Sequence, residues 1–477
     1  MNSTKDPDKI LEWTAVYLGA VSCLLVPLFI RSSYFGLIEL KARAYLYAAV
    51  PAVVLMAVPV LYGLFANGKK CGKTIILLAA IGVWTLISSL LSLNPVLSFL
   101  GSKGWSVGSL MTLVLIAVTI IISRYLRLNS YMLLAVMAAN AFINILSVVQ
   151  SAGINAFGLQ NGLIRKQYFS YLSTIGNANS YSGYLCLVLP LFWGAFMSCR
   201  EWSAKMLYGI FAALGSMGII MANSDSSYAG IGVCLLFMLL FVFGSEQYLK
   251  RSAVLLFLHG FCLMFVRYCP LFEAKKAVFG GLSQALIKSP AAELFCLCGI
   301  LLYLVCGKLF RSGKERYLMI ALEALTAAAI VLFAAHTVRN FNDVWGNGRG
   351  AIWRSGWEYF LELPLRQKIT GIGPEMLFAA YARLKVETGR NVVTAHSDIL
   401  QILLAQGLVG LGLYFAFWVR MVTLFFRKRL WKTNTAVFFF PLAAYWGQSL
   451  FCTVYPVTAV VFSIMTGLYI KNAESDL

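Results

Sequence analysis

Residues 394–412, TAHSDILQILLAQGLVGLG, place a histidine and an aspartate at the start of a long apolar run. The chain has only three histidines, and an imidazole such as that of His396 can take up or release a proton near neutral pH. Asp398 lies two residues further on, which favours a helix N-cap over a partner in a catalytic triad. Ser397 and Gln401, at i and i+4, would share one helix face. An interfacial histidine with a structural role is the alternative interpretation of His396.

The segment 336–399 is the longest polar stretch of the chain, and arginine is its predominant basic residue. A guanidinium group binds phosphate through two parallel hydrogen bonds and stays charged in a partly desolvated site. Arg349 and Arg354 would diverge by roughly 140° on one helix. They can therefore reach one anion only if Arg349 precedes the helix, in the GNGRG turn. The alternative is a solvated loop whose charges merely keep it in water.

Two short amphipathic helices are predicted within this segment. In AIWRSGWEYFLELP the apolar residues recur every three or four positions, namely Ile352, Trp353, Trp357, Phe360 and Leu361. GIGPEMLFAAYARL predicts a Gly-Pro turn and then a helix with one apolar face, formed by Met376, Leu377, Ala380 and Leu384. Both helices would lie at the outer membrane–water interface and present arginines from their polar faces.

A second irregular segment, 151–178, leads into the turn GNANS, which opens an apolar helix. Free backbone N–H groups at a helix N-terminus, together with the amides of Asn177 and Asn179, favour an anionic oxygen. Helix capping alone would also account for Asn179 or Ser180.

The composition indicates what must position these residues. The chain is 60% hydrophobic and 12% charged, with a mean hydropathy of +0.78. A soluble domain carries roughly 25% charged residues. Apolar runs of about 20 residues recur along its length, which predicts an all-α polytopic membrane protein with about 14 transmembrane helices (12–14) and one large external loop containing short amphipathic helices. We interpret the first run as a retained helix rather than a signal peptide.

The distribution of the +20 net charge argues for a membrane rather than a nucleic acid as partner, since most basic residues lie in short loops between apolar runs. With both termini in the cytoplasm, the cytoplasmic segments hold more lysine and arginine than the short external loops. The chain then divides into transmembrane helices 1–11 (residues 1–335, with the irregular external segment 151–178), an external loop carrying the active site (336–399) and the C-terminal transmembrane helices (400–477). The expected location is the cytoplasmic (inner) membrane.

Three stretches resemble the O-antigen ligase family of bacterial membrane glycan ligases and polymerases. IGNANSYSGYLCLVLPL (175–191) is similar to the family's Gly-Asn-Pro-Asn turn and following helix. GNGRGAIWRSGWEYFLELPLRQKITGIGPEMLF (346–378) resembles its Arg-x-x-x-Trp helix and Gly-x-Gly turn, and 394–412 its His-Asn/Ser-x-x-Leu-Gln segment. The sequence departs from the family pattern at Ala178, where a proline is usual, and at Ser227, where an arginine is common.

The resemblance implies transfer of a glycan from a polyprenyl-diphosphate carrier to a sugar hydroxyl, on a glycan or lipid-linked acceptor, at the outer face of the membrane. It assigns Arg349 and Arg354 to the diphosphate, with Arg165 and Arg339 as helpers, and gives His396 the role of orienting or deprotonating the acceptor hydroxyl. Asn177, Asn179, Asp398 and Gln401 are the further substrate-binding candidates. The sequence offers no clustered carboxylates or His-Cys grouping that reads as a metal site, so we expect neither a metal nor a cofactor.

Three alternatives stay open at this point. A surface-polysaccharide polymerase would use the same donor and fold. A lipid-linked oligosaccharide flippase or transporter would need charged residues inside the spans, where Glu323 and Glu293 are the exceptions to an otherwise uncharged pattern. A membrane scaffold without chemistry would tolerate neutralisation of the arginines in 336–399.

Overall fold

A computed structural model of the chain describes residues 6–31, 33–65, 72–102, 104–389 and 391–474. It is 80% helical, with almost no sheet. The helices of the first half are α1 (Asp6–Ala20), continued through a π-helical turn (Val21–Leu25) into α2 (Val26–Leu28), α3 (Leu37–Phe65), α4 (Lys73–Leu90), α5 (Pro95–Leu100), α6 (Ser109–Tyr125), α7 (Ser130–Ser151), α8 (Ala178–Ser198), α9 (Trp202–Ala222), α10 (Asp225–Val242) and α11 (Glu246–Tyr268).

The second half adds α12 (Glu273–Lys276), α13 (Gly281–Lys288), α14 (Ala291–Arg311), α15 (Glu315–Arg339), α16 (Trp345–Glu362), α17 (Leu365–Thr370), α18 (Leu377–Ala380), α19 (Ala382–Thr388), α20 (Asp398–Arg427), α21 (Ala436–Ser449) and α22 (Pro456–Glu474). Short 3-10 turns occupy Ala156–Gly158, Arg165–Ser170, Pro270–Phe272 and Leu430–Lys432. The strands β1 (Tyr171–Leu172) and β2 (Gly176–Asn177) form an antiparallel hairpin that pairs Tyr171 with Asn177.

Eleven helices of the described chain are long and apolar enough to cross a membrane. The protein is therefore a multi-pass membrane protein, and each of these helices coincides with a predicted apolar run. The three other predicted spans fall on α6, which is an apolar helix of 17 residues, and on α21 and α22. A total of about fourteen spans, the external position of 336–399 and the cytoplasmic termini remain predictions.

The core of the helical bundle forms around α8, which is the most buried of the candidate spans. It packs against α9, α10, α21 and α22. Glycines let the neighbouring helices approach closely: a Cβ at Gly230 of α10 would lie 2.3 Å from the carbonyl oxygen of Ala444 in α21. Close backbone contact of this kind stabilises helix pairs in lipid, where apolar burial between helices gains little. It fixes the starts of α8 and α10 beside the connection between α21 and α22.

The segment 336–399 folds into α16 to α19, after α15 has extended through its first residues to Arg339. The first predicted stretch forms one helix, α16, whereas the second is divided at Tyr381 into α18 and α19. The face predicted for the second stretch is buried at all four positions, Met376, Leu377, Ala380 and Leu384. Of the five apolar residues predicted on one face of α16, only Phe360 is fully buried, while Trp357 and Leu361 are half-exposed. The buried faces share one apolar cluster with Leu403, Leu404 and Ala405 of α20, so this segment packs onto α20.

Helix α20 is broken at Gly407, whose φ of 68° and ψ of −167° belong to a region that only glycine adopts readily. The break leaves three backbone carbonyls without helical hydrogen-bond donors. Residues of other elements donate hydrogen bonds to these carbonyls instead. Ile372 N–H and Gly373 N–H donate to the carbonyls of Leu404 and Ala405 at 2.9 Å. Trp84 Nε1 and Ser88 Oγ of α4 donate to the carbonyls of Gln406 and Ala405 at 2.9 and 2.8 Å. The predicted Gly-x-Gly turn is therefore anchored to the middle of α20.

Candidate active site

Arg349 stands at the true start of α16. Gly346, Asn347 and Gly348 before it all have positive φ, so the regular helix begins only after the GNGRG turn. Gly350 is required next to it, because a Cβ there would lie 1.8 Å from the carbonyl oxygen of Asn342. Arg349 lies at the end of this turn, where the regular helix starts, rather than wholly ahead of the helix as predicted. Its partly buried guanidinium can thus point into the protein rather than along the exposed face of α16.

His396 lies on a short stretch that precedes α20 and is held from both sides. Trp353 Nε1 of α16 donates a hydrogen bond to the carbonyl oxygen of Ala395 at 3.0 Å. The N–H of Ala395 donates to Gln401 Oε1 of α20 at 2.8 Å. Ala395 is completely buried. The Arg-x-x-x-Trp helix and the His…Gln segment are therefore joined through the backbone of one residue, Ala395, which brings Arg349 beside His396.

The imidazole of His396 is largely enclosed, and its Nδ1 has no hydrogen-bond partner among the residues that the structure describes. Burial, and secondarily the positive charge of Arg349, lower the pKa of His396 to about 4. The ring is thus neutral at physiological pH and available as a proton acceptor. Its backbone φ of 49° is left-handed, which is uncommon for a residue with a side chain and concentrates at functional sites.

Asp398 is the first residue of α20, and the N-cap is Ser397. The expectation that Asp398 caps the helix is therefore wrong: its side chain turns inward, where it is 5% exposed. The Ser449 side chain and the N–H of Val454 lie close to this carboxylate, while its Oδ1 has no hydrogen-bond partner. Asp398 faces the connection between α21 and α22 instead of solvent.

The turn before α8 also lies next to the connection between α21 and α22. Asn177, rather than Asn179 or Ser180, caps α8, and its side chain accepts the N–H of Asn179 at 2.9 Å. Asn179 Oδ1 accepts a hydrogen bond from Ser224 Oγ, at the start of α10, at 3.1 Å. The amide of Asn179 also lies beside the Tyr455 hydroxyl at the start of α22. The starts of three long helices therefore meet here.

Cys452 connects this group to Arg349. Its thiol donates to Ser226 Oγ at 3.4 Å and lies within hydrogen-bond reach of the Arg349 guanidinium. The neighbouring Phe451 stacks on Trp353 with ring centroids 6.2 Å apart, which holds the 449–455 connection against α16. The site thus combines one arginine, one neutral histidine and the N-termini of α8, α10 and α22. Helix N-termini carry partial positive charge and favour anions.

The remaining predicted residues lie elsewhere. Arg354 forms an ion pair with Asp343 at 2.5 Å, and both side chains are about half exposed. No contact within the described residues joins Arg354 to Arg349 or His396. Arg339 is exposed at the end of α15. The side chain of Arg165 and the whole of Arg390 lie outside the described residues, so nothing here tests the role predicted for Arg165.

Sequence interpretation missed the 449–455 connection, which contributes Ser449, Cys452 and Tyr455. A signal was present: polar residues are concentrated in a very short gap between two apolar runs, next to Pro456. Ser226 of the NSDSSYAG stretch, close to the position where the family commonly has an arginine, also belongs to the site. Within the described residues, no group of three or more His, Cys, Asp or Glu could hold a metal ion.

Comparison with family models gives a match to part of the chain. The model of the family described as O-antigen ligase matches residues 210–415. This range includes α10, the whole of 336–399, His396 and the first half of α20, whereas the Asn177–Asn179 turn and the 449–455 connection lie outside it. None of the curated proteins compared with the chain matches it.

Proposed function

We infer that the protein is a membrane glycan ligase or polymerase, because the O-antigen ligase family model matches residues 210–415 and eleven of the described helices are long and apolar enough to cross a membrane. We propose that it transfers a glycan from a polyprenyl-diphosphate carrier to a sugar hydroxyl at the outer face of the cytoplasmic membrane. The observation that supports this most directly is the meeting of Arg349 with a neutral His396 at the N-termini of α8, α10 and α22.

In this proposal the anomeric carbon–oxygen bond to the diphosphate breaks and a bond to the acceptor oxygen forms. The polyprenyl diphosphate leaves with the bonding electron pair. Arg349 and the three helix N-termini stabilise its negative charge, and being fixed in place they need no rearrangement during the reaction. His396 accepts the proton of the acceptor hydroxyl.

At Ser227 the sequence differs from the family pattern, in which an arginine is common. The nearby helix N-termini can compensate for this missing positive charge. The partial positive charge of these helix N-termini would take over part of the role of that arginine. Arg354 stays a predicted diphosphate ligand that would have to leave Asp343 on donor binding, with Arg165 and Arg339 as further candidates. Asn179 contributes its amide from the start of α8.

The test is transfer by the purified protein in nanodiscs, with a short polyprenyl-diphosphate-linked glycan, candidate acceptors and EDTA. Released lipid diphosphate and product size are measured. We expect transfer in the native protein and none in His396→Ala, which should still accumulate and bind the donor. Arg349→Gln should lose transfer too, whereas Arg354→Gln, a matched change on the same helix, should retain more of it.

Product size separates the members of this class. A single transfer to a distinct acceptor identifies a ligase, and a ladder of repeat units identifies a polymerase. Full activity of His396→Ala would refute the proposed role of the histidine. Movement of lipid-linked glycan across a liposome membrane, without diphosphate release, would show that the protein is a flippase.

A further inference from the structure

An apolar cavity lies directly beneath Asp398. It has a volume of about 290 Å³ and is bounded by α4, α6, α20, α22 and the 449–455 connection. At its mouth are Trp105, Glu375, Asp398 and Gln401, and its walls extend inward to Phe417 and Thr466. The lining residues of α20 run from Asp398 to Trp418, which spans at most about 30 Å along a helix of this length.

The shape and lining of this cavity suit an extended hydrocarbon chain. Below the mouth the lining is chiefly aliphatic and aromatic, with a few hydroxyl groups such as those of Thr119 and Ser463. No lysine or arginine is among the described residues that line it. A hydrocarbon chain that enters this cavity would leave its head group at the mouth, beside Asp398 and close to His396.

The mouth is acidic and rich in hydrogen-bond acceptors. Asp398 is 5% exposed and its Oδ1 has no partner. Glu375 has a left-handed φ of 63°, and its carboxylate accepts hydrogen bonds from the backbone N–H (3.2 Å) and the hydroxyl of Ser102. Burial raises the pKa of Glu375, an effect that these hydrogen bonds oppose. Carboxyl groups bind hydroxyl groups through hydrogen bonds, whereas no basic side chain among the described residues that line the cavity would pair with a phosphate.

The site therefore has two chemically different sides. Arg349 and the helix N-termini form one side, which suits the donor diphosphate. Glu375, Asp398 and Gln401 form the other, above the apolar cavity. His396 lies close to Arg349 and precedes Asp398 by two residues, so it links the two sides. A phosphorylated lipid whose tail occupied the cavity would have to place its phosphate against the carboxyl groups.

We propose that this cavity binds the apolar chain of the acceptor, which is an amphiphile with an uncharged polyhydroxyl head group, and that Glu375 and Asp398 bind the hydroxyls of that head. The role of this amphiphile as the acceptor rests on the proposed transferase function. Binding of such an amphiphile is independent of it.

The test is photolabelling in nanodiscs, which does not require transfer. The probes are dodecyl glucoside and dodecyl phosphate that carry the same diazirine in the chain, and labelled peptides are identified by mass spectrometry. We expect the glucoside to label the cavity peptides of α20 and α22 about tenfold more than the phosphate, because no basic side chain among the described lining residues would pair with the phosphate.

Matched variants locate the chain. Ala459→Phe fills the cavity and should abolish glucoside labelling, and Thr466→Met is a milder filling change if the first variant does not accumulate. Ala328→Phe on the exposed face of α15 makes the same substitution outside the cavity and should leave labelling unchanged. Equal labelling by both probes, or labelling that survives both filling variants, overturns the proposal.

Competition separates this inference from the proposed function. A polyprenyl-diphosphate donor shares only an apolar tail with the glucoside probe. If this donor displaces the probe, the cavity belongs to the donor and the proposal is overturned. Selective glucoside labelling in a protein that transfers no glycan would leave the amphiphile site standing and refute the transferase. Glycan transfer without selective glucoside labelling would support the transferase function and refute the amphiphile site.

Discussion

The protonation state of His396 sets the pH range in which it can act as a base. An imidazole with its ordinary pKa would be half protonated near pH 6.5. Burial and Arg349 lower the pKa of His396 to about 4. The group is protonated only below its pKa, so acidification from pH 7 to pH 5 should leave it neutral. Chemistry at this residue should therefore persist in mildly acidic conditions.

We accordingly predict that the initial rate of glycan transfer is nearly flat between pH 7 and pH 5 and falls only toward pH 4. The measurement is a rate profile at saturating donor, with a melting curve at each pH to separate unfolding from titration. An acid limb centred between pH 6 and 7, in protein that remains folded, would contradict the environment described for His396.

Positioning of His396 depends on the two hydrogen bonds to Ala395. Replacing Trp353 with Phe, or Gln401 with Leu, removes one bond while the side-chain volume changes little. We predict that each variant lowers kcat by roughly tenfold, since small displacements of a reacting group reduce rates strongly. The KM for donor should change less, because Arg349 stays in place. Trp357→Phe is the control, as Trp357 is half-exposed on the same helix; a kcat reduced equally in this control would count against the positioning role.

At the scale of elements, the broken helix α20 decides where the Gly-x-Gly turn is anchored. A Cβ at Gly407 would lie 2.2 Å from the carbonyl oxygen of Ile369, and the backbone region of Gly407 is nearly closed to other residues. Gly412, on the same helix, has open space where a Cβ would be added.

Gly407→Ala should therefore destabilise the protein by at least about 1–3 kcal/mol from backbone strain alone, with more from the contact. Gly412→Ala should be neutral or slightly stabilising, because alanine is the better helix former. Thermal unfolding in detergent, followed by tryptophan fluorescence, compares the two variants. Equal melting temperatures would show that the break in α20 is not required.

At the scale of the whole molecule, the predicted orientation puts the site outside the cytoplasm. Cysteine introduced at Glu387, an exposed residue of α19, should react with a membrane-impermeant maleimide in intact cells. Cysteine at Lys428, in the basic connection after α20, should react only after permeabilisation, because positively charged loops are retained in the cytoplasm. The unsubstituted chain supplies the background from its own cysteines. The opposite labelling pattern would invert the orientation and place the proposed reaction on the cytoplasmic side.

The sequence by itself determined the class of protein and most of the pieces of the site. Apolar runs long enough to cross a bilayer identify membrane helices locally, since each satisfies its own backbone hydrogen bonds. The glycines around Arg349 and the turn before α20 likewise act through local backbone geometry. These features can be recognised one segment at a time, which explains why most of the helices and the turn before Arg349 were predicted correctly.

Only the tertiary structure decided which of these pieces meet. Arg349 and not Arg354 lies beside His396, because Trp353 and Gln401 both bind Ala395. Asp398 lines a cavity instead of capping its helix, and the 449–455 connection joins the site because close contact between α10 and α21 brings it there. Such contacts depend on how distant helices pack, and that packing is set by the fit of many side chains rather than by any periodicity along the chain.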